Sequence, residues 1–161
     1  MKRAGFTLLE AVIALAILAV VATLALPSFG TAAERARLKA AAETLSADLS
    51  EARFEAARRA QPLHVELSPG AGWCWVVATR AGCPCEGDAA CRLKASRARD
   101  YAGIELLESQ STRLDPNGAA AQPASALFQS PHGEQLRVDL LALGRSRVCA
   151  PTGRTPGYPG C

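Results

Sequence analysis

At 161 residues and a formal charge of +3, the chain has room for one modest domain plus an appendage. Lys2 and Arg3 supply two of those charges, so the rest carries only +1 and has no global basic field to attract nucleic acid. Any anion-binding role must therefore be local. Hydrophobic residues make up 49% but aromatics only 5%, with Ala and Leu near the N-terminus supplying much of the hydrophobic content.

The chain begins with "KRAGFTLLEAVIALAILAVVATLALP". Residues 6–26 are apolar except for Glu10 and the mild Thr7 and Thr23. As a helix they would extend about 31 Å, enough to cross a bilayer core. The preceding Lys2 and Arg3 put that end on the cytoplasmic side. A secretory signal cut within Gly30-Thr31-Ala32-Ala33 and a plain signal anchor are both compatible with the apolar run. Neither accounts for Glu10, because a carboxylate near a bilayer centre costs about 2–3 kcal/mol.

Gly5-Phe6-Thr7-Leu8-Leu9-Glu10 resembles the processing site of type IV pilins and of the pseudopilins of type II secretion. The resemblance implies that a prepilin peptidase cuts after Gly5 and methylates the new amino group of Phe6. Glu10 and Pro27 then occupy the fifth and twenty-second mature positions, which that family commonly fills with these residues. It further implies that Glu10 pairs with the N-terminus of a neighbouring subunit during filament assembly, an opposite charge making the desolvated carboxylate tolerable.

Pro27 lacks an amide proton and clashes with the preceding turn, so a kink or local break is expected over 27–30. Residues 30–61 are Ala-rich and carry both charges, with no Gly or Pro from 31 until Pro62, so the helix is expected to resume. Leu38, Leu45, Leu49, Ala52 and Ala56 form one stripe that should pack on a globular domain, and Phe54 falls on the opposite side.

Beyond Pro62 the texture becomes that of strands. "LHVELSPGAGWCWVVATRAG" reads as two strands about a turn, with Trp73 and Trp75 on one face. "YAGIELLES" and "ALFQS" are shorter candidates, and "EQLRVDLLALGRSRVCA" spans two strands broken at Gly144. The segments "CPCEGDAACRLKASRARD" and "LDPNGAAAQPAS" read as loops. The expected fold class is α+β: a long N-terminal helix, membrane-spanning in its first half, on a small, mostly antiparallel β domain. The boundaries are a leader over 1–5, a membrane and filament-core helix over 6–29, an amphipathic continuation over 30–61, and a globular domain over 62–161 with a tail over 144–161.

Cys74, Cys83, Cys85, Cys91, Cys149 and Cys161 all follow the apolar segment, in what would be the periplasm, where disulfides persist. Six cysteines allow 15 pairings. Cys149 and Cys161 stand apart and are expected to close a C-terminal loop; Cys74–Cys83 with Cys85–Cys91 is the expectation for the rest. A zinc site on Cys83, Cys85 and Cys91 is the rival, disfavoured by the lack of a paired C-x-x-C and by the compartment. No metal or cofactor is expected. His64 and His132 sit in no nucleophile motif and no phosphate loop is present, so an enzyme is not expected.

"LGRSRVCAPTGRTPGYPGC" holds Arg145, Arg147 and Arg154 with no acid from Gly144 onward. On a strand, Arg145 and Arg147 would share a face about 6.6 Å apart, suited to successive phosphates. A Cys149–Cys161 bridge would fold Arg154 and Tyr158 back towards that face. Tyr158 could stack on a base or serve as a packing anchor, and the arginines could pair with Glu134 or Asp139 instead.

Gly144-Arg145-Ser146-Arg147, just before a cysteine-bounded tail, matches the GRxR motif of FimT-type minor pilins, and the chain resembles the FimT/GspH family over nearly its whole length. That resemblance implies a minor type IV pilin that binds double-stranded DNA through Arg145 and Arg147 and assists natural transformation. Arg154 and Tyr158 join the candidate DNA-binding set by their place in the tail. Its implied partners are other pilins or pseudopilins, the prepilin peptidase and the inner membrane, with the globular domain in the periplasm. The alternative is a GspH-like minor pseudopilin at the tip of a type II secretion pseudopilus. The Cys83–Cys91 loop has no counterpart in the family pattern.

Overall fold

The computed structural model describes residues 8–87, 89–153 and 155–161, less the side chains of 24–28. Met1–Ala33 forms one compact unit and Glu34–Cys161 a second. One helix, α1 (Leu8–Arg59), is followed by eight strands: β1 (Leu63–Ser68), β2 (Cys74–Ala78), β3 (Arg92–Arg97), β4 (Glu105–Gln110), β5 (Thr112–Leu114), β6 (Ala124–Gln129), β7 (Gln135–Leu140) and β8 (Ser146–Cys149).

In the first unit, every described side chain over 8–23 is exposed. The break expected over 27–30 is not present, because α1 continues through those residues. A proline removes one backbone bond and crowds one carbonyl, and the turns on either side remain hydrogen-bonded. No helix among the described residues is long and apolar enough to cross a membrane, so the expected span over 6–29 is not found there. The described side chains of that run cover 8–23, short of the roughly 20 apolar residues that a span requires.

In the second unit, α1 ends where Ala60 takes a left-handed φ of 52° and the Gln61 amide donates to the Ala56 carbonyl at 3.2 Å. Pro62 then prevents continuation. The chain turns directly into β1.

All strand pairs are antiparallel, as the sequence led one to expect for most of them, in two four-stranded sheets ordered β3-β2-β1-β5 and β4-β6-β7-β8. The passage from β4 to β5 carries the chain between sheets. There the Leu67 amide donates to Ser111 Oγ at 3.0 Å and Ser109 Oγ donates to the Leu67 carbonyl at 3.3 Å. The stretch expected to be a loop after Cys83 contains β3 and a 3-10 turn at Ala98–Asp100. β3 is an edge strand with no fully buried residue, so it lacks the apolar alternation that marks a half-buried strand.

The stripe Leu38, Leu45, Leu49, Ala52 and Ala56 is buried, joined by Ala41 and Ala42, and one core unites it with residues of both sheets. Each buried leucine contributes about 1.5–3 kcal/mol. Trp73 and Trp75 stack at 5.6 Å with an interplanar angle of 9°, and Phe128 meets both edge-on. Phe54 is 70% exposed.

Candidate functional site

The β7–β8 hairpin places the arginine motif. β8 pairs with β7 in the register Asp139↔Arg147 and Leu140↔Ser146. Ser146 turns towards α1, its hydroxyl 2.9 Å from that of Ser46 and 3.2 Å from that of Ser50. Arg145, immediately before β8, and Arg147, within it, flank Ser146 and leave the opposite face by strand alternation. Both are exposed.

Their electrostatic states differ. Arg147 donates from Nε and Nη2 to Asp139 Oδ2, each at 3.1 Å, so its charge is partly neutralised across the ladder. Arg145 has no side-chain hydrogen bond or ion pair among the described residues. Arg154 lies outside the described residues.

Gly144 is buried and has φ +72°. A Cβ placed on it would lie 2.0 Å from the Gly118 carbonyl oxygen and 3.1 Å from Arg53 Nε, so only glycine fits. Arg53 on α1 therefore rests against the same turn. Its exposed guanidinium has no ion-pair partner among the described residues. Sequence reasoning missed Arg53, because nothing local distinguishes it from the other charges of an Ala-rich helix.

Tyr158 is docked on α1: its hydroxyl donates to Glu43 and Lys39 Nζ lies 5.5 Å from its ring centroid. Burial first, then the Glu43 carboxylate, pushes its pKa up to about 12. The ring is held as a packing anchor rather than offered for stacking. The Cys149–Cys161 disulfide and the bond from the Ala150 amide to the Pro159 carbonyl, 2.8 Å, hold the tail in that position.

The other four cysteines pair as Cys74–Cys85 and Cys83–Cys91, not as Cys74–Cys83 and Cys85–Cys91. Cys74 opens β2, and the loop folds over its outer face, bringing Cys85 rather than Cys83 to it. These bonds commit the three sulfurs that the zinc reading required. Arg92 and Arg97 reinforce the loop from β3, both donating to the Cys85 carbonyl at 3.1 Å. The stapled loop forms one wall of an open groove of about 950 Å³, with Trp73, Arg97, Ile104 and Leu106 among its lining.

Three further polar ties fix α1 to the first sheet and to the turn between β6 and β7. Asp48, 1% exposed, accepts the Trp75 indole N–H at 2.8 Å and pairs with Lys94 at 2.6 Å. Asp48 and then Glu51 raise the Lys94 pKa. Arg35 donates from Nε to both Glu134 oxygens at 3.0 Å and holds that carboxyl below its usual range. His132 Nδ1 contacts the Glu34 carboxylate. His64 sits half-buried in β1, opposite Arg113.

Of the N-terminal residues, Gly5 and Phe6 lie outside the described residues. Glu10 is in the first turn of α1. Pro27 is helical in backbone.

A long N-terminal helix carrying antiparallel sheets is the architecture of a type IV pilin-like protein. Two crystal structures of the type IV minor pilin FimU from Pseudomonas aeruginosa (strain PAO1) share this fold. One, in space group P21, is 19% identical with a TM-score of 0.57, covering 78% of this chain and 96% of that one. The other, in P65, is 18% identical with a TM-score of 0.55, covering 75% and 98%. Residues 1–26 match the prokaryotic N-terminal methylation motif, and residues 41–144 match the family described as type II transport protein GspH. The chain belongs to the GspH family, a type IV pilin-like family of minor pilins and pseudopilins whose role is structural. No curated protein matches it.

Proposed function

We propose that this protein is a FimT-like minor pilin that joins a type IV pilus and binds double-stranded DNA without sequence preference, assisting uptake in natural transformation. The observation that carries the reading is Arg145, an exposed guanidinium with no partner among the described residues, two positions from Arg147 on the same face. Arg154 belongs to the same acid-free tail, and Tyr158 holds that tail rather than stacking on a base. Processing by prepilin peptidase at Gly5 and Phe6, anchorage in the inner membrane with the second unit in the periplasm, and entry into the filament through Glu10 and Pro27 complete the reading. The bare apolar surface over 8–23 supports it, since such a surface needs a bilayer or neighbouring helices to cover it.

The test is salt-dependent binding of duplex DNA by the full chain in detergent, with disulfides intact. With few phosphate contacts, affinity should fall in the non-specific range, about 10⁻⁴–10⁻⁶ M, and weaken as salt rises. Each lost contact should flatten the salt slope by about 0.9. Arg145→Gln should therefore remove close to one unit, and Arg147→Gln less, because Asp139 already neutralises part of that charge. Arg58 and Arg59, tied to Glu55, are the control: neutralising them should change little.

A second reading, a GspH-like pseudopilin at a type II secretion tip, is favoured by the Arg147–Asp139 pair, which reduces the free charge of the motif. No binding at low salt by the oxidised chain would select it.

A further inference from the structure

The turn between β7 and β8 carries two exposed leucines. Leu143 is 76% exposed and Leu141 46%. A single exposed leucine is ordinary. Here, however, the turn that carries them is rigid. The Gly144 amide donates to the Leu141 carbonyl at 2.7 Å, the Leu141 amide to the Arg145 carbonyl at 3.0 Å, and the Ala120 amide to the Ala142 carbonyl at 3.0 Å. Gly144 is wedged against Gly118 from behind. Two cations without partners among the described residues lie near the tip: Arg145 follows Leu143 by two residues, and Arg53 lies against Gly144. The nearby acids Asp139 and Asp115 are paired with Arg147 and Arg113. No acidic residue occurs from Leu140 to the C-terminus.

We propose that Leu143, backed by Leu141, is an apolar wedge that enters between base steps of the duplex held by Arg145 and Arg147. This rests on the DNA-binding reading above and specifies how that site engages its ligand. Apolar side chains inserted at base steps partly unstack and kink the duplex, and neighbouring cations on the phosphates hold the bent form. A stiff turn suits the role, because little entropy is lost when it is buried. Two guanidinium groups without partners among the described residues, those of Arg145 and Arg53, lie beside the leucines and complement a polyanion. The wedge reads deformability instead of sequence, so it should favour mismatched or pyrimidine–purine steps, where unstacking costs least.

The experiment uses the full chain in detergent and duplexes carrying 2-aminopurine beside a central mismatch, with matched duplexes for comparison. Binding should raise 2-aminopurine fluorescence, and the mismatched duplex should bind on the order of tenfold more tightly. Leu143→Ser with Leu141→Ser should abolish both effects while leaving the salt slope at the parental value. Arg145→Gln should reduce the slope instead. Both variants should keep the parental far-ultraviolet circular dichroism, since the substituted side chains are exposed. A fluorescence rise and mismatch preference that survive both serine substitutions would overturn the wedge. So would serine variants that bind DNA as the parent does but fail to assemble with other pilins, which would make the tip a protein contact. Absent binding by the parent at low salt would remove the underlying DNA reading, a separate failure.

Discussion

The Asp48 carboxylate, almost wholly buried on α1, accepts the indole N–H of Trp75 on β2 at 2.8 Å and so fixes the helix in register with the first sheet. Asp48→Ala should destabilise the fold by about 2–4 kcal/mol, since it orphans a buried donor and leaves a small void. Asp48→Asn should cost less, because an amide oxygen can still accept from Trp75. Lys94 is 44% exposed and keeps Glu51 as a partner. Urea unfolding followed by tryptophan fluorescence checks the order; equal losses would show that the indole bond contributes nothing.

Tyr158 should titrate well above the ordinary tyrosine. Its folded pKa is raised from 10.0 to about 12, first by burial and then by Glu43. A raised pKa means that the neutral phenol is the form the fold stabilises. That contribution is fully present below pH 10 and is lost as pH climbs from 10 to about 12. Phenolate absorbance in a Tyr101→Phe background should report the shifted titration. Glu43→Gln should lower the midpoint without restoring the model-peptide value, because burial remains.

Peptide mapping without reduction should recover Cys74–Cys85, Cys83–Cys91 and Cys149–Cys161. The intact mass should be six hydrogens below the free-thiol value. Replacing Cys149 and Cys161 by serine should cost about 2–4 kcal/mol. It should also free the tail, seen as a Tyr158 titration moving back towards 10.

A bulky residue at Gly5 should block leader removal and leave a slower-migrating band. Glu10→Ala should be processed normally yet enter filaments poorly. Parental levels of Glu10→Ala in sheared filaments would contradict charge pairing as the basis of assembly.

The long-range plan was legible where the chain repeats a simple period. The stripe from Leu38 to Ala56 follows the helical repeat, and Leu136, Val138 and Leu140 alternate on β7, so both elements were readable. β3 was not: Arg92, Lys94 and Arg97 are polar on both faces because an edge strand has only one neighbour. Pairing of the four clustered cysteines depends on how a loop folds over β2, which spacing does not encode. The arginine motif could be located from sequence and Asp139 named as one of two candidate partners. Hairpin register then sets Asp139 opposite Arg147, while Glu134 is taken by Arg35. Arg53 reaches the site only through tertiary packing.

The contact between Gly144 and the Gly118 carbonyl separates shape from charge within one four-residue motif. The glycine is required by a neighbouring backbone and by its own left-handed conformation, whatever the protein binds. The arginines on either side of Ser146 are under no such constraint. Within this architecture the hairpin could therefore exchange its charges without altering the turn. Relatives that bind quite different things should keep the glycine and differ at the two positions corresponding to Arg145 and Arg147.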